Sequence, residues 1–181
     1  MKKKIFKLLT GMLLSCALAG STVAVQAEEA GTDTVKSYLT GEDVSVGIGH
    51  RRPIAVMLGN DTNGAPQSGT ENAGVIYEAP VEGSITRLMA IIEDYDNIPR
   101  IGSVRSCRDY YIFYASGFDA IYTHYGQSAY ALPFLELPEV NNISGLAGYG
   151  DQVFYRTTDR KSPHNAYTSF EGIQKGIEIN G

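Results

Sequence analysis

The segment 101-IGSVRSCRDYYIFYASGFDAIYTHYG-126 decides the fold. Arg100–Val104 reads as a strand. From Cys107 onward the apolar period changes: Cys107, Tyr111, Tyr114 and Phe118 recur at helical spacing, a stripe that would face a core. Ser106 and Asp109 fit the Ser-x-x-acid capping pattern, so the helix is expected to begin there. Asp119–Thr123 returns to strand character, and Gly126 breaks it. A strand, a helix and a strand in immediate succession point to an α/β domain rather than a bundle or an all-β sandwich.

The flanking sequence agrees. Pro53–Leu58 and Val75–Ala79 are short apolar strands, separated by a Gly/Asn/Asp/Pro-rich loop over 59–72. Ile85–Glu93 is apolar on both faces and is expected to be the central strand. Downstream, Ser128–Leu137 reads as a second helix with Pro133 near its first turn. Val140–Gly150 reads as a connection, Gln152–Thr157 as a strand and Asp159–Tyr167 as a polar loop. Thr168–Ile179 is a third helix with Phe170, Ile173 and Ile177 on one side. The expected architecture is a mixed β-sheet flanked by helices over residues 50–181. The last helix has a face to bury, which suggests a domain truncated before a further C-terminal domain, with packing back on the sheet as the alternative.

Toward the N-terminus the chain reads as an address. Lys2, Lys3, Lys4 and Lys7 precede a mainly apolar run over 8–19, and Val25-Gln26-Ala27 places small residues at −3 and −1 before Glu28. Residues 1–27 are therefore predicted to be a signal peptide, too short and wrongly flanked for a membrane span. Leu13-Leu14-Ser15-Cys16 also approaches a bacterial lipobox, although Leu14 is not the usual small residue. Secretion with a cut after Ala27 is the preferred reading, and lipid anchoring at Cys16 is the alternative. Residues 28–49 are polar, Gly/Thr-rich and without apolar periodicity, and are predicted to be a flexible tether.

Composition sets further limits. Of 181 residues, 43% are apolar and only 19% charged, which excludes a disordered chain. With 15 basic against 20 acidic residues, sequence-independent nucleic-acid binding is not expected, since neutralising phosphates needs a basic excess. Removing the signal takes four lysines and leaves Cys107 as the sole cysteine, so no intrachain disulfide can form. The scattered His and Cys have no zinc spacing; no metal and no cofactor are expected.

Against an acidic background, local arginines are informative. Arg105 and Arg108 sit at the first strand–helix junction, and His124 and Ser128 at the second. If the two strands are parallel neighbours, both junctions open on the edge where α/β sheets bind ligands. A helix N-terminus there suits an anion. Arg87 shares a strand face with Ile85, Met89 and Ile91, and a guanidinium on such a face needs a carboxylate or phosphate partner. Arg160 and His164 lie in a later basic loop with Arg156 and Lys161. Structural alternatives exist for each: Arg105 can pair with Asp109, Arg87 with Glu78 or Glu82, and His124 can be a satisfied core histidine. Gly126-Gln127-Ser128 begins like a nucleophile elbow but lacks the second Gly, since position 130 is Tyr, so Ser128 reads better as a cap. Asp61-Thr62-Asn63-Gly64 and Asp94-Tyr95-Asp96 complete no calcium loop and read as turns.

Six segments occur in order: Arg52-Pro53-Ile54-Ala55-Val56-Met57, Ile76-Tyr77-Glu78, Glu82-Gly83-Ser84-Ile85-Thr86-Arg87, Val104-Arg105-Ser106-Cys107-Arg108, His124-Tyr125-Gly126-Gln127-Ser128 and Arg160-Lys161-Ser162-Pro163-His164-Asn165. Together they resemble the YerB-like family of extracytoplasmic bacterial lipoproteins, whose domain has no known function. The resemblance spans about residues 50–181. It implies a secreted or lipid-anchored Gram-positive protein with a second, C-terminal domain, and implies no reaction. A weaker resemblance is to the LytR-CpsA-Psr wall-polymer ligases. Thr86-Arg87, Arg108-Asp109 and Tyr125-Gly126 match that family in order only, and Leu88 replaces the Asp that follows its first Arg.

The sequence thus predicts an exported cell-envelope domain, extracytoplasmic and membrane-bound only if lipidated at Cys16. Its partner is expected to be an anionic envelope ligand of phosphate or glycan type, held by Arg87, Arg105, Arg108, His124, Ser128, Arg160 and His164. No residue is assigned a catalytic role. Two other readings compete with this one: a phosphoryl transferase on lipid-linked wall precursors, and an interaction scaffold whose arginines are structural.

Overall fold

A computed structural model of the protein describes residues 33–180. The signal-peptide and lipobox readings fall outside these residues. The chain runs through β1 (Thr34–Lys36), β2 (Asp43–Ser45), α1 (Val46–Gly49), β3 (Ile54–Gly59), β4 (Val75–Val81), β5 (Ile85–Ile92) and β6 (Ile101–Gly102). It continues through α2 (Asp109–Ser116), β7 (Ile121–His124), α3 (Leu132–Leu135), β8 (Asn142–Ser144), α4 (Gly150–Val153), β9 (Tyr155–Arg156), β10 (Ala166–Thr168) and α5 (Phe170–Asn180).

The main sheet has the order β4-β5-β3-β7-β8. β3 pairs antiparallel with β5 and parallel with β7, and β7 pairs parallel with β8. The centre of the sheet is therefore β3 rather than the Ile85–Glu93 strand expected from sequence. Every residue of β3 is buried, whereas the first residues of β5 reach the surface. The period-two alternation of the strands divides two cores. On one face Ala55, Met57, Met89 and Ile91 pack with Tyr111 and Ile112 of α2 and with Tyr122. On the other, Val56, Leu58, Ala90 and Ile92 join Ile143, Phe154 and Ile173. This is the expected mixed sheet flanked by helices. The face of α5 packs back on the sheet: a Cβ at Gly176 would lie 2.7 Å from Ile143, so the bare glycine lets helix and strand touch.

Further sequence readings are corrected, among them the strand over 152–157, which is the end of α4 followed by β9. Residues 33–49, assigned to the tether, form an antiparallel β1–β2 hairpin and a helical turn. Gly41 closes the hairpin at φ +75°, Leu39 packs against the α2-side core, and Tyr38 Oη donates to the Phe118 carbonyl at 2.8 Å. The helix α2 begins at Asp109, and Arg108 rather than Ser106 is its N-cap residue. The backbone before it is committed elsewhere: Val104, Arg105 and Cys107 donate their N–H groups to Ala166, Met57 and Gly126 carbonyls. A helical turn there would break all three bonds. For the same reason the strand over 100–104 shrinks to β6, which pairs with β10 in a separate sheet of order β6-β10-β9 and is no parallel neighbour of β7. The helix expected over 128–137 is a 3₁₀ turn at Ala129–Ala131 followed by the four-residue α3, with Pro133 in its first turn.

Candidate functional site

Because β3, β7 and β8 are parallel and β5 runs against them, the ends of the first three and the start of β5 share one edge. The loop after β3, the extended segment 103–108 and the turn at 125–128 gather there, at the position where open α/β sheets take ligands.

Arg87 projects from β5 on the α2 side, in register between Ala79 and Gly59, two neighbours too small to fill the space beside it. It is 6% exposed. Its Nη1 donates to the Ser106 carbonyl, and no carboxylate lies within ion-pair distance of it among the described residues. Burial, followed by the charges of Arg108 and Arg105, lowers its pKa to about 10.

Arg105 reaches the same region across Gly59. A Cβ at Gly59 would lie 3.2 Å from Ser103 Oγ and 3.4 Å from Arg105 Cγ, so the glycine makes room for the arginine stem. Nη1 of Arg105 donates to the Pro163 carbonyl at 2.9 Å, while Nε is buried with no partner among the described residues. Burial lowers its pKa, Asp61 opposes that shift, and Arg108 adds to it.

Arg108 differs from these two. Its Nε lies 2.9 and 3.0 Å from the two Glu82 carboxylate oxygens, its Nη2 also meets Glu82, and its Nη1 donates to the Cys107 carbonyl at 2.7 Å. This is the fork geometry of a bidentate pair. The Arg108 hydrogen bond holds the Glu82 carboxyl down at about 2, although the Glu82 side chain is 68% exposed.

Beside Arg105 lies a pocket of about 380 Å³ lined by Asn63, Arg160, Lys161 and His164. Arg160 anchors its wall by donating to the Gly64 and Pro66 carbonyls at 2.6 and 2.9 Å. His164 Nδ1 is 3.2 Å from Asp61 Oδ1, which also accepts the N–H groups of Asn63 and Gly64. The Asp61 turn therefore holds the loop, and the imidazole lies in contact with it.

The structure thus brings Arg87, Arg105 and Arg108 together and places Arg160 and His164 next to Arg105. Ser128 Oγ and Gln127 Oε1, in the turn bridged to Cys107, are buried without partners among the described residues. His124 is the exception. It is wholly buried, with Nδ1 donating to the Gly126 carbonyl at 2.8 Å and Nε2 3.2 Å from Asn142 Oδ1. Burial lowers its pKa, and its ring shapes the Gly126 turn from inside the core. Sequence reasoning passed over Asp61 and Gly59 as site residues, and its structural alternative of Glu78 or Glu82 as the partner of Arg87 is not what the structure shows, since Glu82 pairs with Arg108. Only the Asp-x-Asn-Gly turn signal marked Asp61 locally. Among the described residues no group of three His, Cys, Asp or Glu side chains could hold a metal ion, and no helix is long and apolar enough to cross a membrane.

Fold and edge together define an α/β domain with a mixed five-stranded sheet and a cationic, loop-built rim at the ends of its parallel strands. The N-terminal domain of DUF3048, a family of proteins of unknown function, matches residues 39–181, and the chain belongs to this family. It is 37% identical over 163 residues to YerB of Bacillus subtilis (strain 168), a proposed lipoprotein; the match covers 88% of this chain and 48% of that relative. The crystal structure of YerB from Bacillus subtilis superposes with a TM-score of 0.75 at 37% identity, over 80% of this chain and 49% of that one. The chain therefore spans about half the length of the relative it matches. The resemblance carried by the six ordered segments is borne out.

Proposed function

We propose that this domain binds a phosphate-bearing anion of the cell envelope at the rim formed by Arg87, Arg105 and Arg108. One observation carries the reading: Arg87 is a buried and Arg105 a half-buried cation, the charge of Arg105 adds to the cost of Arg87, and neither has a carboxylate within ion-pair distance among the described residues. A buried charge left in that state is unfavourable unless an anion completes it. The partnerless Arg105 Nε and Ser128 Oγ supply further donors at the same place. The extracytoplasmic setting rests on the N-terminal signal pattern and on the lipoprotein proposal made for the Bacillus subtilis relative.

The test is thermal unfolding of the full chain in phosphate against chloride at matched ionic strength. Specific binding raises the midpoint in phosphate, by the equivalent of about 2.7 kcal/mol at a hundredfold excess over Kd. Arg105→Ala weakens the effect about tenfold or more, the loss expected for one charge-assisted hydrogen bond. Equal midpoints in the two salts, at any phosphate concentration, reject the reading.

A further inference from the structure

Resting on that reading, we infer that the ligand is a polyanion carrying at least two phosphate groups, held by two cationic lobes that Arg105 joins. The first lobe is the Arg87/Arg105/Arg108 rim. The second is the pocket of Asn63, Arg160, Lys161 and His164. They are contiguous. Arg105 lowers the pKa of Arg87 on one side, while on the other its Nη1 holds the carbonyl of Pro163, the residue before His164.

The second lobe has the features of a site in its own right. At about 380 Å³ it lies within the usual range of small-molecule sites, about 300–1,000 Å³, and is far roomier than one phosphate requires. Lys161 is exposed and makes no ion pair or side-chain hydrogen bond among the described residues. The guanidinium of Arg160 is fixed in the wall by two carbonyls, and the imidazole of His164 lies beside Asp61 with its Nδ1 buried and making no hydrogen bond among the described residues. Anchored donors of this kind meet a ligand with little further ordering.

The chemistry favours phosphate over carboxylate. A carboxylate presents two oxygens in one plane and is matched by a single guanidinium fork, as Glu82 is by Arg108. Arg87, Arg105 and Arg108 come from three separate backbone positions and lie near enough for their charges to act on one another, an arrangement suited to the tetrahedral oxygens of phosphate. A second phosphate on the same ligand then meets the second lobe at high effective concentration.

Calorimetry on the full chain at fixed ionic strength, with orthophosphate, tripolyphosphate and polyglutamate as probes, decides the matter. Tripolyphosphate is expected to bind at least about tenfold tighter than orthophosphate. Lys161→Ala should remove most of that gain. Lys175→Ala, on α5 and paired with Glu178, should leave the gain intact. Arg160→Ala should act like Lys161→Ala, and the lysine variant keeps the result readable if losing the Gly64 and Pro66 anchors unfolds the loop. Three results overturn the inference: equal affinity for the two phosphates, loss of the gain in Lys175→Ala, or polyglutamate binding as tightly as tripolyphosphate. If neither phosphate binds at all, the rim reading itself fails.

Discussion

Replacing Arg87 by Met separates a functional arginine from a structural one. Arg87 is 6% exposed, and its pKa is lowered to about 10, mainly by burial. At about 1.4 kcal/mol for each pH unit below its ordinary value, the unliganded protein carries roughly 3 kcal/mol of unfavourable charge at this position. Against this stands the hydrogen bond to the Ser106 carbonyl; leaving a buried acceptor unpaired costs about 1–3 kcal/mol. Methionine has a similar unbranched stem and fills much of the same space. Arg87→Met should therefore leave stability unchanged or raise it by up to about 2 kcal/mol, a midpoint shift of roughly 0 to +8 °C for a chain of this size. The same variant should lose the phosphate-induced stabilisation. The assay is urea and thermal unfolding of both proteins with and without phosphate. A loss of more than about 2 kcal/mol in Arg87→Met, with phosphate stabilisation retained, would refute the reasoning and make Arg87 a structural strut.

Glu82 competes with any anion for the Arg108 fork, so Glu82→Gln should tighten phosphate binding several-fold in a titration. It should cost under about 1 kcal/mol of stability, because Glu82 is largely exposed and the pair is screened. Its folded pKa of about 2 lies below the ordinary value of 4.5, so the carboxylate's contribution is present above pH 4.5 and is lost as pH falls through about 2. Acid unfolding of Glu82→Gln should be correspondingly flatter across that window. The Cys107 thiol is buried and pushed up to about 11, so a thiol reagent should label it slowly in the native protein and rapidly in denaturant. Mass spectrometry of the exported protein should find Glu28 at the N-terminus; a lipid-modified Cys16 would place the domain on the membrane instead.

What the sequence disclosed about this fold follows from the range of the forces involved. β3 and β5 are legible because an apolar run bounded by turn residues is a local signal, and the grouping of Arg105 with Arg108 is visible in a four-residue span. The capping pattern Ser106-x-x-Asp109 misled because local propensity lost to long-range backbone bonds: Met57 and Gly126 carbonyls claim the N–H groups of Arg105 and Cys107. The β1–β2 hairpin was invisible for a different reason. Its strands are three residues each and show no apolar period, and long-range contacts such as the packing of Leu39 and the Tyr38–Phe118 bond tie the hairpin to the domain. The Asp61–His164 contact joins residues distant in sequence and left no mark that a periodicity reading could find. Arg87 was correctly singled out as an arginine on an apolar face, but its partner proved to be a carbonyl, which makes the position more telling than an ion pair with Glu82 would have been.

The most direct measurement is NMR of the arginine Nε–Hε groups in the labelled full chain during titration with phosphate at constant ionic strength. Arg105, whose Nε is buried and partnerless, should show a large saturable shift, and Arg87 should follow the same isotherm. Arg51, held by Asp94 and Asp96, should stay silent. An Arg105 resonance that does not move at saturating phosphate, or one that drifts linearly in step with Arg51, would contradict an anion site at this rim.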